Sequence, residues 1–384
     1  MLKINLKPTE EDRILDGHLW VYGNEIDRVA GDGEIADVYS SANRFLGRGY
    51  YNPDSAIAVR LLSRRREEID RDFFVRRIKD AWNYRVKLGC TKLCRVIFAE
   101  ADMLPAFIVD KYGDYLSIQT LTRFMDDKKA MLCEILNEVI APKGIYERND
   151  VAIREKEGLP QIKGFLSKPF DTTVTVSENG VKIAVDIANG QKTGYFLDQR
   201  ENRAALREYT GDTVLDCFCH TGGFGLHAAM FGAKDVECVD ISETALESVR
   251  RNAALNGFDA VRTTQADVFD LLRQYARDGK QYDTVILDPP AFCKTKSAVA
   301  GAARGYKDIN MYGMQLVKRG GFLITCSCSH FMTEKLFMKL IRDASIDCRR
   351  ECRIMEIRSQ CRDHPIPLYD SESAYLKCIV LQVL

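Results

Sequence analysis

Past about residue 190 the chain alternates β-type and α-type segments, and this alternation constrains the fold more than any other feature. The pattern predicts strands over Thr213–Phe218, Asp235–Val239, Ala260–Thr264, Thr284–Asp288 and Phe322–Cys326, with helices between them, for instance over Glu243–Asn256 and Asp308–Lys318. Repeated βα units imply a parallel sheet with helices on both faces. Cys352–Arg358 and Tyr375–Val383 then read as two strands joined by a polar loop, so an antiparallel hairpin is expected to finish the sheet. Polar or glycine-rich phrases stand at the strand ends: Asp216–Gly225 (DCFCHTGGFG), Val239–Ile241 (VDI), Leu287–Phe292 (LDPPAF) and Thr325–Ser329 (TCSCS). Ligands bind at the carboxyl edge of such sheets, so the phrases describe one pocket.

A chain of 384 residues exceeds what one hydrophobic core serves, and two or three domains are expected. Its 55 basic and 55 acidic residues cancel, so net charge says nothing of nucleic acid. Between Arg60 and Arg95, however, 12 Lys or Arg face 5 Asp or Glu, and Arg64, Arg65 and Arg66 are consecutive. Such a run is either a solvated face or a surface for phosphates. The 13 Cys form no secreted framework: the N-terminus has no signal-peptide core, and no apolar run is long enough to span a bilayer. A reducing cytoplasm with free thiols is the expectation, with no membrane association. No Cys/His pairing has zinc spacing, and no metal is expected.

Three blocks are predicted, at 1–70, 71–188 and 189–384. The first has short strands over Ile35–Tyr39, Phe45–Tyr51 and Ile57–Leu62, broken by Gly and Asn-Pro turns, which suits a small β-barrel. The second opens with a helix from about Asp70 to Leu88, its apolar stripe carried by Phe74, Ile78, Ala81 and Trp82. It continues as an α+β unit with strands over Val96–Glu100, Ala106–Asp110 and Tyr115–Thr120, a helix over Asp127–Ile140, and a hairpin turning at Asn179-Gly180.

The phrase after the first parallel strand opens through Thr221, Gly222 and Gly223 into a helix, where backbone without Cβ can approach a ligand closely. Asp240 ends the second strand, where an acid accepts from ribose hydroxyls. The glycines do not form the G-x-G-x-x-G of dinucleotide enzymes. The layout is similar to that of S-adenosylmethionine (SAM)-dependent methyltransferases, in which the loop packs on methionine instead of a pyrophosphate. Asp216, Phe218, Thr221, Gly222, Gly223 and Asp240 are the corresponding contacts, and Asp267 with Val268 suits adenine. Asp267 also reads as an ordinary helix N-cap.

Asp288-Pro289-Pro290 ends the fourth strand; two prolines hold it extended and remove two N–H donors, leaving Asp288 to face the pocket. Enzymes that methylate ring amines usually place an aromatic directly after the prolines, whereas here Ala291 precedes Phe292. The fifth strand runs into Cys326-Ser327-Cys328-Ser329. Carbon C5 of a pyrimidine is too weak a nucleophile to be methylated unaided. A thiolate adding at C6 makes C5 enamine-like, and loss of the C5 proton then expels the sulfur. Cys328 is the candidate nucleophile, with Asp288 beside it; both cysteines also read as small buried residues.

Nine ordered segments, among them GHLWVYGNEI (17–26), NGQKTGYFLDQR (189–200), DPPAF (288–292), GYKDIN (305–310), SCS (327–329), DHPIP (363–367) and YLK (375–377), are spread over all three blocks. In them the chain resembles the bacterial ribosomal-RNA large-subunit cytosine-C5 methyltransferases that carry an N-terminal PUA domain. The resemblance implies an α/β protein: a seven-stranded Rossmann-like SAM methyltransferase domain, an N-terminal PUA-like β-barrel and a central α+β domain. It further implies SAM contacts from Gln199, Asp240, Asp267 and Asp288, with Cys328 as nucleophile and ribosomal RNA as partner; the charge excess between Arg60 and Arg95, not the resemblance, makes Arg64, Arg65 and Arg66 the candidate docking residues for that RNA. Leu19, where the family often has Pro, and Ala291, where Lys is common, depart from the pattern. Two other readings stay open: base N-methylation without a covalent adduct, and a non-catalytic RNA-binding assembly role. A homodimer is an open assembly state.

Overall fold

The computed structural model describes residues 1–293, 295–368 and 373–384. The chain divides into two compact units, one of Met1–Val176, Val185–Leu197 and Arg362–Ser373, the other of Ser177–Ala184, Asp198–Cys361 and Ala374–Leu384.

In the first unit a six-stranded sheet sets Trp20–Val21, Val59–Ser63, Phe45–Tyr51, Ile35–Tyr39, Leu2–Leu6 and Ile26–Ala30 side by side. Leu2, Ile4, Leu6, Val38, Val59 and Leu61 fill its core. Gly49 is required: a Cβ there would stand 2.1 Å from the Arg60 carbonyl oxygen. Ile26–Ala30 escapes the sequence reading because this edge strand buries one side only weakly and carries Asp27 and Arg28 outward.

A five-stranded sheet in the same unit orders Ile162–Phe165, Gly144–Asn149, Tyr115–Thr120, Phe107–Tyr112 and Leu93–Phe98. The strand expected over 96–100 therefore starts three residues earlier, and Ala99–Asp102 is a 3₁₀ turn. Helix Arg71–Lys87 begins where the Asp70 carboxylate accepts from the Phe73 N–H at 2.9 Å, and it buries Phe73, Phe74, Ile78 and Ala81. The helix expected over 127–140 is two, Arg123–Asp127 and Lys129–Ile140. Asn179 and Gly180 both adopt positive φ, at 50° and 102°, as a two-residue hairpin turn demands.

The second unit holds one seven-stranded sheet: β1 (Thr213–Cys217), β2 (Asp235–Asp240), β3 (Val261–Gln265), β4 (Tyr282–Leu287), β5 (Val317–Ser327), β6 (Cys352–Arg358) and β7 (Lys377–Val383). Their order is β3-β2-β1-β4-β5-β7-β6. The first five are parallel, and β7 runs antiparallel to both β5 and β6. Strand order reverses between β1 and β4, and such a switch opens a crevice at the carboxyl edge. The helix expected over 308–318 is instead Val299–Leu316, with β5 starting at Val317. Gly301 and Gly305 in its first half have low helix propensity and mask the period. Behind β2, the buried Glu237 carboxylate accepts from Thr264, Tyr275 and Tyr282 hydroxyls, each at 2.7 Å, and pairs with Arg262 at 2.8 Å. Among the described residues no helix is long and apolar enough to cross a membrane.

Candidate functional site

The loop leaving β1 is contorted. Phe218, His220 and Gly222 all have positive φ, at 60°, 50° and 84°, and the first two have side chains that disfavour it. Such conformations persist only when surrounding bonds impose them. Here Asp240 at the end of β2 accepts from the His220 N–H through one oxygen and from the Ser242 N–H through the other, both at 3.0 Å. The helix after the loop, Gly223–Met230, lies against β1 and β2 so closely that a Cβ on Gly225 would meet Cys238 Sγ at 2.4 Å.

Asp216 stands beneath this loop, 1% exposed. Its Oδ2 accepts from the Gly225 N–H at 2.8 Å, while its Oδ1 is buried with no hydrogen-bond partner among the described residues. Burial, reinforced by Asp288 and Asp240, pushes the carboxyl up to about 8 despite the Gly225 bond. A buried carboxyl oxygen without a partner beside a glycine cradle is what a bound ligand completes, and a cationic N–H donor there would return the carboxyl to its charged, accepting form.

Asp288, one residue past β4, accepts from Gln199 Nε2 at 2.9 Å, and Gln199 Oε1 accepts from Asn202 at 2.6 Å. Gln199 is thus buried and fixed in orientation. At the end of β3, Asp267 caps helix Val268–Arg277, its Oδ1 accepting from Phe269 and Asp270 N–H groups at 2.8 and 3.3 Å. Of its two readings from sequence, the helix cap is the one visible in the structure. Val268 is buried, and Phe218, Phe269 and Phe292 form an aromatic group with centroids 5.6 to 6.4 Å apart. Thr221 lends its carbonyl to Asn252 at 3.2 Å.

Cys328 follows β5 directly and is half-buried, its Sγ 3.9 Å from the Pro289 carbonyl oxygen. Asp216, Asp240, Asp267, Asp288 and Cys328 therefore all lie at the carboxyl ends of neighbouring parallel strands. Cys326 differs. It lies inside β5 opposite Cys378, fully buried, and its bond with Cys378 together with burial holds the thiol well above its ordinary range. Such a thiol is inert.

Two residues here were not singled out from sequence. The Tyr306 hydroxyl bonds both serine hydroxyls flanking Cys328, Ser327 and Ser329, at 3.0 Å each. Lys377, at the start of β7, donates to the carbonyls of Ser329 at 2.8 Å and Tyr375 at 2.7 Å. Their only sequence signal was membership of the GYKDIN and YLK phrases.

The three arginines of the basic run belong to the other unit. Arg64 donates to the carbonyls of Ile14 at 2.6 Å and His18 at 3.2 Å, Arg66 lies 4.4 Å over the Phe45 ring, and Arg65 is exposed.

Residues 4–64 match the PUA-like domain family, and residues 160–346 match the S-adenosylmethionine-dependent methyltransferase family. The chain is 45% identical over 395 residues to ribosomal RNA large subunit methyltransferase I of Shewanella denitrificans, covering 100% of this chain and 99% of that one. To the protein of the same name in Aeromonas salmonicida it is 43% identical over 391 residues, covering 99% and 98%. In fold it is similar to a Streptococcus mutans protein assigned as a SAM-dependent methyltransferase, with TM-score 0.84, 22% identity and full coverage of both chains. A second solved structure, assigned as a methyltransferase and complexed with SAH, gives TM-score 0.86 at 23% identity, again with full coverage of both.

Proposed function

We propose, from the premise that this chain belongs to the family of the enzymes named ribosomal RNA large subunit methyltransferase I, that it methylates C5 of a cytosine in large-subunit ribosomal RNA through a covalent adduct with Cys328. The observation that carries this reading is the placement of Cys328: a half-buried thiol at the carboxyl end of β5, with both neighbouring serines bound by Tyr306.

SAM is the cofactor of this family, and when bound it supplies an electrophilic methyl group. The residues present fit it: the orphaned Asp216 oxygen and the Gly222–Gly225 cradle offer acceptors and close backbone, Asp240 retains lone pairs for ribose hydroxyls, and Gln199 holds Asp288 toward the crevice. Phe218, Thr221, Gly223, Asp267 and Val268 complete the proposed contacts. Cys328 adds as thiolate to C6, the S–C6 bond forms, and the C5–C6 π electrons pass to the ring. After methylation the C5 proton leaves, the π bond reforms, and the S–C6 bond breaks to return the thiolate. Asp288 lies beside the reacting ring. In this scheme residues 1–70 and 71–188 hold the RNA, and 189–384 carry out the transfer.

Ribosomal RNA carrying 5-fluorocytosine tests the chemistry, because fluorine at C5 cannot leave as a proton and the adduct is trapped. Wild-type enzyme is expected to form a SAM-dependent adduct stable to denaturation, and Cys328→Ala to lose adduct and turnover while still binding SAM. Full activity in Cys328→Ala would transfer the choice to amine methylation.

A further inference from the structure

Lys377 is a buried cation at the start of β7. It is 7% exposed, and among the described residues no carboxylate lies within ion-pair distance of its amine. Two of its N–H donors end on neutral carbonyls, those of Ser329 and Tyr375. An ammonium carries three, and the third has no acceptor among the described residues. A buried charge without a counter-charge is expensive, and the site relieves it either by losing the proton or by gaining an anion.

The position of Lys377 says which anion. In the β5–β7 register Lys377 faces Ser327, the residue before Cys328, and its amine bonds the carbonyl of Ser329, the residue after it. The lysine therefore brackets the cysteine along the strand end. We propose that Lys377 is a positioning residue whose ammonium holds Cys328 as the thiolate and fixes the Ser327–Ser329 turn that presents it. The assignment rests on the nucleophile reading of Cys328. The Cys328 Sγ–H bond breaks, its proton goes to solvent, the electron pair stays on sulfur, and the ammonium keeps its three protons.

Burial brings the Lys377 ammonium down to about 8, opposed by Cys328 and Glu334, so the effect is present at neutral pH and fades as Lys377 deprotonates above it. Tyr306, raised to about 12 chiefly by burial, also faces Cys328, whereas the Tyr375 hydroxyl is engaged by Asp198 at 2.5 Å.

The test is the pH profile of Cys328 alkylation by iodoacetamide, followed on its own peptide by mass spectrometry. Wild-type enzyme is expected to react with a midpoint below the ~8.5 of an ordinary thiol. In Lys377→Met the midpoint should rise by at least about one unit, making alkylation roughly tenfold slower at pH 7, and Lys377→Arg should restore it. SAM affinity should not change. A wild-type midpoint at or above that of a free thiol overturns the assignment without recourse to any variant, and so does an unshifted midpoint in folded Lys377→Met. The fluorocytosine adduct separates the two readings. Its absence in wild type removes the nucleophile itself, whereas an adduct with an unshifted alkylation profile removes only the lysine's part.

Discussion

Glu237 and Asp216 are both 1% exposed and lie on adjacent strands of one sheet, yet the protein treats them in opposite ways. Around Glu237 stand four donors, from Arg262, Thr264, Tyr275 and Tyr282. Burial works against its charge, but those donors hold it down at about 2. Asp216 has one donor among the described residues, the Gly225 N–H, and rises to about 8. A carboxylate whose partners all come from the fold stabilises the fold. One left half-partnered at the mouth of a crevice is poised for something the fold does not contain.

Replacement of each acid gives the largest expected difference. Glu237→Ala leaves three hydroxyls without their acceptor and Arg262 with Asp235 alone, and it should destabilise the protein by about 3–5 kcal/mol in urea unfolding. Asp216→Asn should cost nothing at pH 7, since the amide imitates the protonated acid and still accepts from Gly225. Equal losses in the two variants would erase the contrast.

The pH dependence of stability sharpens it. The folded Glu237 lies below its ordinary 4.5, so its contribution is complete above about pH 4.5 and is lost as pH falls toward about 2. Asp216 lies above its ordinary 3.8, so its contribution is complete below about pH 4 and is lost as pH rises through about 8. Ligand-free protein should therefore lose stability between pH 4 and 8 with a slope that Asp216→Asn removes. Thermal unfolding across this range would show the slope, and an identical profile in the variant would place the titration elsewhere.

How much of this was legible beforehand follows from the range of each interaction in sequence. The parallel sheet and its crevice show in apolar runs and terminal phrases a few residues long, and the observed helix Glu243–Asn256 has the bounds its periodicity predicts. Glu237 reads as one acid in VECVD, because its partners lie 25 to 45 residues downstream on three separate elements. Lys377 acquires meaning only when β7 pairs back on β5, across 50 residues. The basic run was legible as charge, but not as three different environments, since Arg64 finds its acceptors in a turn some 50 residues earlier.

The same division between groups engaged by the fold and groups left open extends to that run, with the smallest expected effect. Arg64 is tied to two carbonyls, and Arg66 is stacked on Phe45 and stands 3.9 Å from Asp37. Arg65 is exposed, and its guanidinium has no partner among the described residues. A phosphate contact releases about one counterion, so losing one lowers the salt slope of RNA binding by roughly one. Arg65→Glu should weaken ribosomal RNA binding and flatten log K against log salt by about that amount, leaving thermal stability and SAM affinity unchanged. Arg64→Glu should instead lower thermal stability, because the Ile14 and His18 carbonyls lose their donor. A salt slope unchanged in folded Arg65→Glu would make Arg65 part of a solvated face, and the docking surface would then have to be sought among other basic residues.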